Sequence, residues 1–131
     1  DVRIKKKRKK MSYDNDNIFA KILRKEIPCN KIYEDEFVLS FYDINPLKKI
    51  HALVIPKGKY INLDDFSLKA TSDEIVGLIR GISIVAKKLG ISVSTGKGYR
   101  ALANISENGG QEVPHLHFHL FGGEKVGKMV E

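Results

Sequence analysis

One cysteine, no tryptophan and no long apolar run mark this chain of 131 residues, and each shortage excludes something. Cys29 alone cannot close an internal disulfide, which fits a reducing, cytoplasmic setting. No stretch approaches the roughly 20 apolar residues needed to cross a bilayer, so no membrane span is expected. The basic block at the start has no apolar run behind it of the kind a secretory signal carries. Histidine is scarce as well: there are four, His51, His115, His117 and His119, and three of them fall within five residues.

Charge is concentrated rather than spread. The net charge is +7, yet residues 1–10 hold seven Lys/Arg against the single acid Asp1, leaving about one net charge for everything from Met11 onward. Residues 1–10 are expected to be a solvated, disordered arm, either an added leader or an extension upstream of Met11. The alternative is an arm that touches RNA, DNA or an acidic membrane surface; apart from it, no nucleic-acid partner is expected. Residues 11–131, in a chain that is 42% apolar, suffice for a single domain with one core.

Along that domain, Ile18, Ile22 and Leu23 recur at helical spacing, and the pattern predicts a short helix from Ile18 to Ile27, stopped by Pro28. Lys31–Glu34 and Phe37–Asp43 read as a hairpin around Asp35 and Glu36. Ile50–Pro56 is almost continuously apolar, as a strand inside a sheet would be. Thr71-Ser72-Asp73-Glu74 fits a capping box, and Ile75, Leu78, Ile79, Ile82, Val85 and Leu89 carry a helical period up to Gly90. Gly77 and Gly81 within this one long helix cost roughly 1 kcal/mol each relative to alanine. Close approach to a sheet or another subunit would explain them, as would tolerated drift. Tyr99–Ile105 reads as a strand, Asn108-Gly109-Gly110 as a turn, and the histidine run as the last strand. The expected class is α+β, with a five-stranded, mainly antiparallel sheet, one short helix and one long one.

In an extended run, residues two apart share a face, so His115, His117 and His119 point one way while Leu116, Phe118 and Leu120 point the other. One face can bury and the other can do chemistry. A metal site is one reading, with His115 and His117 joined by His51 or Glu112. Against it, His115 and His119 would lie about 13 Å apart in a strand, too far to share an ion. The other reading is covalent catalysis on a phosphate, with Gly109-Gly110 turning backbone N–H groups into an anion-binding concavity and an imidazole as nucleophile.

His115-Leu116-His117-Phe118-His119-Leu120-Phe121, preceded by Gly109-Gly110-Gln111-Glu112-Val113, resembles the signature of the histidine triad (HIT) family, Hint branch. Ile18-Phe19-Ala20-Lys21-Ile22, Phe41-Tyr42-Asp43-Ile44-Asn45-Pro46, His51-Ala52-Leu53-Val54-Ile55-Pro56-Lys57 and Gly98-Tyr99-Arg100 extend the likeness from about Ile18 to Gly123. The resemblance implies a HIT-like fold with sheets joined across a homodimer, needing no cofactor or metal. The implied activity is that of a purine nucleoside phosphoramidase, which hydrolyses the P–N bond of AMP or GMP amine derivatives through a nucleotidyl-histidine. By that likeness His117 is the nucleophile, His119 contacts the phosphate and assists proton transfer, and His115 and His51 orient the nucleophile and hold its tautomer. Asp43 would bind the ribose hydroxyls with Ile44 beside it. Phe19, Ile22, Ile27 and Leu53 would form the base slot, and Asn104, Gly110, Gln111 and Glu112 would line the phosphate.

Alternatives are a dinucleoside polyphosphate hydrolase or nucleotidyltransferase of a sister branch, a nucleotide-sensing scaffold, and an RNA-binding module using the arm. Three departures stand out. Glu112 replaces the serine of animal relatives, so its backbone N–H is a better phosphate donor than its side chain. Asn17 and Ala20 stand where some members place paired cysteines, which argues against structural zinc. With no tryptophan and a short tail after Gly123, leaving-group contacts should differ.

Overall fold

The computed structural model describes residues 12–129, so the basic arm expected over residues 1–10 lies outside the described residues. Helix α1 (Ile18–Leu23) starts at Asn17, whose side chain accepts the Ala20 N–H. It stops short of the expected Ile27 because Lys25 takes a left-handed backbone conformation (φ 65°). The Glu26 and Lys25 N–H groups then bond back to Lys21 and Ile22. This is a Schellman closure built without glycine.

Strands β1 (Lys31–Glu34), β2 (Val38–Tyr42), β3 (Ile50–Pro56), β4 (Arg100–Leu102) and β5 (Phe118–Gly122) form one sheet in the order β1-β2-β3-β5-β4, every pair antiparallel. Asp35 ties the first hairpin by accepting from the Phe37 and Val38 N–H groups. The apolar strand β3 is central, as its composition suggests, and every residue from His51 to Pro56 is buried.

Helix α2 (Leu63–Lys69), which periodicity did not predict, is capped by Asn62. Helix α3 (Ser72–Lys88) begins on the Thr71–Glu74 capping box read from sequence. A Cβ on Gly77 would come within 2.5 Å of Phe37, and one on Gly81 within 2.8 Å of Val38. The two glycines therefore let α3 lie close on the sheet. The strand expected over Tyr99–Ile105 is shorter, because a helical turn α4 (Ser106–Gly109) closed by Gly110 at φ 73° takes the chain away from the sheet.

Parity along the strands sorts side chains into two layers. Ala52, Val54, Leu116 and Leu120 join Val38, Leu78 and Val85 beneath α3. Leu53 and Ile55 join Phe19, Ile22, Leu39 and Phe41 beneath α1. His51 shares the parity of Leu53, so the sheet delivers it to the α1 face.

Candidate active site

The histidine run is not a single strand. His119 lies in β5, while His115 and His117 precede it in an irregular segment. Pro114 has no N–H to give a ladder, and the His115 N–H turns back onto the Val113 carbonyl at 2.9 Å. The alternation of faces nevertheless holds. The His117 ring packs against Phe19 at 4.9 Å and against His119 at 5.1 Å between centroids, while Leu116 and Leu120 enter the opposite layer.

Hydrogen-bond partners fix where each ring proton sits, because a carbonyl can only accept and a backbone N–H can only donate. His115 is fully buried. Its Nε2–H donates to the Pro56 carbonyl at 2.8 Å, so its Nδ1 accepts from the Tyr13 hydroxyl at 2.6 Å. His117 donates from Nδ1 to the His115 carbonyl at 2.8 Å. The lone pair of its Nε2 is thereby left unprotonated and meets no partner among the described residues.

A second chain runs through the other two rings. The Leu47 N–H points to His51 Nδ1 at 3.1 Å, so His51 carries its proton on Nε2 and gives it to His119 Nδ1 at 2.9 Å. His119 in turn holds its own proton on Nε2. Asp43 Oδ2 stands 3.4 Å from His51 Nε2, and its Oδ1 accepts the Asn45 N–H.

Burial keeps all four rings neutral by penalising the charged form. It pushes His115 down to about 4 and, with the neighbouring His117 and His51 rings, His119 also to about 4. His117 and His51 are lowered by the same cause, opposed by the His115 carbonyl and Asp43 for the former and by Asp43 for the latter.

These groups open onto a pocket of about 360 Å³, lined by residues that include Phe19, Asp43, His51, Leu53, His117 and His119, together with Asn104, Gly110 and Glu112. Asn45, Leu47 and Val113 complete it and were not anticipated as site residues, although Asn45 and Val113 lie within the motifs that carry the family likeness. His115 stands behind the pocket. Ile22 packs in the α1 layer with Ile27 against its edge, and neither lines the cavity. Ile44 is 87% exposed and does not line it either. Gln111 faces inward to the protein, donating to the Ile61 and Val113 carbonyls and accepting from the Ser106 N–H, which stitches the loop. The N–H groups of Gly110 and Gln111 are spent on Glu107 and Ser106. Those of Glu112 and Val113 have no partner among the described residues.

Asp43, His51 and His119 bring three ligand atoms within 4.8 Å of one another, the spacing a metal would need. Their proton pattern does not suit one. A metal-bound imidazole ordinarily donates its other ring N–H, whereas His51 Nδ1 must accept from Leu47.

The antiparallel sheet thus presents one tautomer-fixed imidazole, His117, beside the hydrogen-bonded imidazole pair of His51 and His119. The HIT domain family model matches residues 24–126, and the chain belongs to that family. It is 51% identical over 119 residues to an uncharacterised 13.2 kDa HIT-like protein of Azospirillum brasilense, covering 91% of this chain and 95% of that protein. Among solved structures, it is similar to a HIT family hydrolase of Clostridium thermocellum, with TM-score 0.79 and 35% identity over 90% of this chain and 99% of the other. A HIT family hydrolase of Legionella pneumophila gives TM-score 0.68 and 38% identity over 84% and 95%.

Proposed function

We propose that this protein is a nucleotide-binding hydrolase of the Hint type, a purine nucleoside phosphoramidase that cleaves P–N bonds through a nucleotide bound covalently to His117. The observation that carries this is the unprotonated Nε2 of His117, whose ring is fixed by Nδ1–H donation to the His115 carbonyl and lines a pocket of nucleotide-monophosphate dimensions. Two solved relatives described as hydrolases agree with it.

In the first step the Nε2 lone pair attacks phosphorus and the P–N bond breaks, the amine nitrogen taking a proton from solvent so that it departs as a neutral amine. In the second, water attacks phosphorus, the P–Nε2 bond breaks, and the nucleoside monophosphate leaves with the water's proton returned to solvent. His119 Nε2–H and the N–H groups of Glu112 and Val113 meet the charge on the phosphoryl oxygens. The neutral His119 serves as a donor; giving up this proton would leave an imidazolate. Phe19 and Leu53 form the slot for the purine, and Asp43 accepts from the ribose.

A homodimer is part of the reading. Strand β4 has no strand on its outer edge among the described residues, and Ile75, Val76 and Ile79 on α3 are exposed. Light scattering should give twice the chain mass, and a concentration-independent monomer would remove the dimer. The decisive experiment is mass spectrometry of protein quenched during turnover of AMP phosphoramidate. A nucleotidyl adduct on His117 is expected; turnover without any adduct on this residue would overturn the mechanism.

A further inference from the structure

Charge in the pocket is one-sided. Among the described residues its lining has two carboxylates, Asp43 and Glu112, three neutral histidines, and no lysine or arginine. Phosphate sites ordinarily recruit Arg or Lys. A single anionic phosphoryl group can be met here by the His119 Nε2–H and two unspent backbone N–H groups. A phosphate chain bringing two or more further charges would share the cavity with two carboxylates and no lining lysine or arginine among the described residues.

Direction follows from the nucleophile. In an in-line displacement the departing group lies opposite the attacking nitrogen. His117 is buried, so displacement on the side opposite its Nε2 carries the departing group outward, toward solvent. Glu112 also lines the cavity, is exposed, and has no hydrogen bond or ion pair to any described residue. Its carboxylate is also near enough to favour the charged form of His117.

We infer that Glu112 determines specificity for the leaving group: it selects nucleotides whose departing amine carries a further positive charge and rejects those whose departing group is a phosphate chain. This rests on nucleotidyl transfer to His117. Because Glu112 is exposed, each unit of charge on the leaving group should change kcat/KM by about two- to fivefold, the scale of a surface ion pair.

The test uses three AMP phosphoramidates of similar size, with 2-aminoethyl, 2-hydroxyethyl and carboxymethyl groups on nitrogen, and diadenosine tetraphosphate as a fourth substrate. The wild type is compared with Glu112→Gln and Glu112→Lys. The readout is the aminoethyl-to-carboxymethyl ratio of kcat/KM; dividing the wild-type ratio by the variant's cancels the intrinsic reactivity of the amines. Spanning two charges, it should be about 4- to 25-fold larger in the wild type than in Glu112→Gln. It should shrink toward the Glu112→Gln value in 0.5 M salt and fall below that value in Glu112→Lys, which should also gain on diadenosine tetraphosphate. Both changes are at an exposed side chain, so neither opens the core. Turnover with ratios equal within twofold in the wild type and Glu112→Gln would overturn the role of Glu112 alone. No turnover of any phosphoramidate would overturn both this role and the hydrolase reading.

Discussion

Acid should unfold this protein partly through one residue, His115. Its unfolded imidazole titrates near 6.5, and burial holds it at about 4 in the folded protein. A depressed folded value means the unfolded chain binds more protons between those two pH values. The contribution is therefore complete above about pH 6.5, is lost as pH falls toward 4, and changes no further below it. The interval between about 6.5 and about 4 is worth about 3 kcal/mol in full, most of which is gone by pH 4.5. Set against a typical stability of about 5–15 kcal/mol, that is a large fraction. Urea unfolding from pH 7.5 to 4.5 reads it, with His115→Gln as reference. Glutamine cannot titrate, and carboxylates and the other histidines contribute to both proteins alike. The wild type should lose about 2–3 kcal/mol more than the variant over this range, and the His115 ring should stay unprotonated by NMR down to about pH 4. Equal losses, or a ring that titrates near 6.5, would refute the assignment of His115 as a buried, neutral anchor.

Other outcomes follow from the same geometry. His117→Ala should retain nucleoside monophosphate binding by calorimetry while turnover falls at least about 100-fold; unchanged turnover would remove it as nucleophile. Tyr13→Phe strips the donor from a buried ring nitrogen and should cost about 1–3 kcal/mol in urea unfolding, with a loss below about 0.5 showing that the hydroxyl is not engaged. Gly81→Ala should destabilise by about 1 kcal/mol or more despite better helix propensity, because its Cβ would meet the fully buried Val38 at 2.8 Å. A gain in stability there would mean that α3 can lift from the sheet at little cost.

What could be read in advance was whatever depends on local period or cap. Strand β3 was visible because it is apolar on both faces, and α3 because Thr71 and Glu74 announce its start. Helix α2 was not, since Leu63 and Leu68 face solvent and Phe66 supplies most of its apolar burial. The early end of α1 depends on Lys25, a residue type that gives no hint of a left-handed turn. In the site, the shared face of the three histidines was legible from their spacing of two. Their separate duties were not, because those depend on partners far along the chain: Tyr13 is 102 residues from His115, and Pro56 is 59. No spacing rule reports that the Pro56 carbonyl claims the His115 proton, or that the Gln111 side chain is already spent on its own loop.

The magnitudes also decide what burial contributes to the nucleophile. An imidazole in water, titrating near 6.5, is already roughly three-quarters neutral at pH 7. Lowering the value for His117 can raise that pool by no more than about a third, far too little to account for catalysis. Neutrality is therefore not the gain at pH 7; placement of the proton is. In water either ring nitrogen can hold it, whereas the His115 carbonyl confines it to Nδ1 and leaves Nε2 as the reactive atom. The depressed value matters only in acid, where it extends the working range. The acid limb of kcat/KM, which reports the free enzyme, should accordingly fall below pH 6.5. A limb centred at 6.5 or above would mean that the nucleophile is solvated like a free imidazole, and the packing against Phe19 could not then be what holds it.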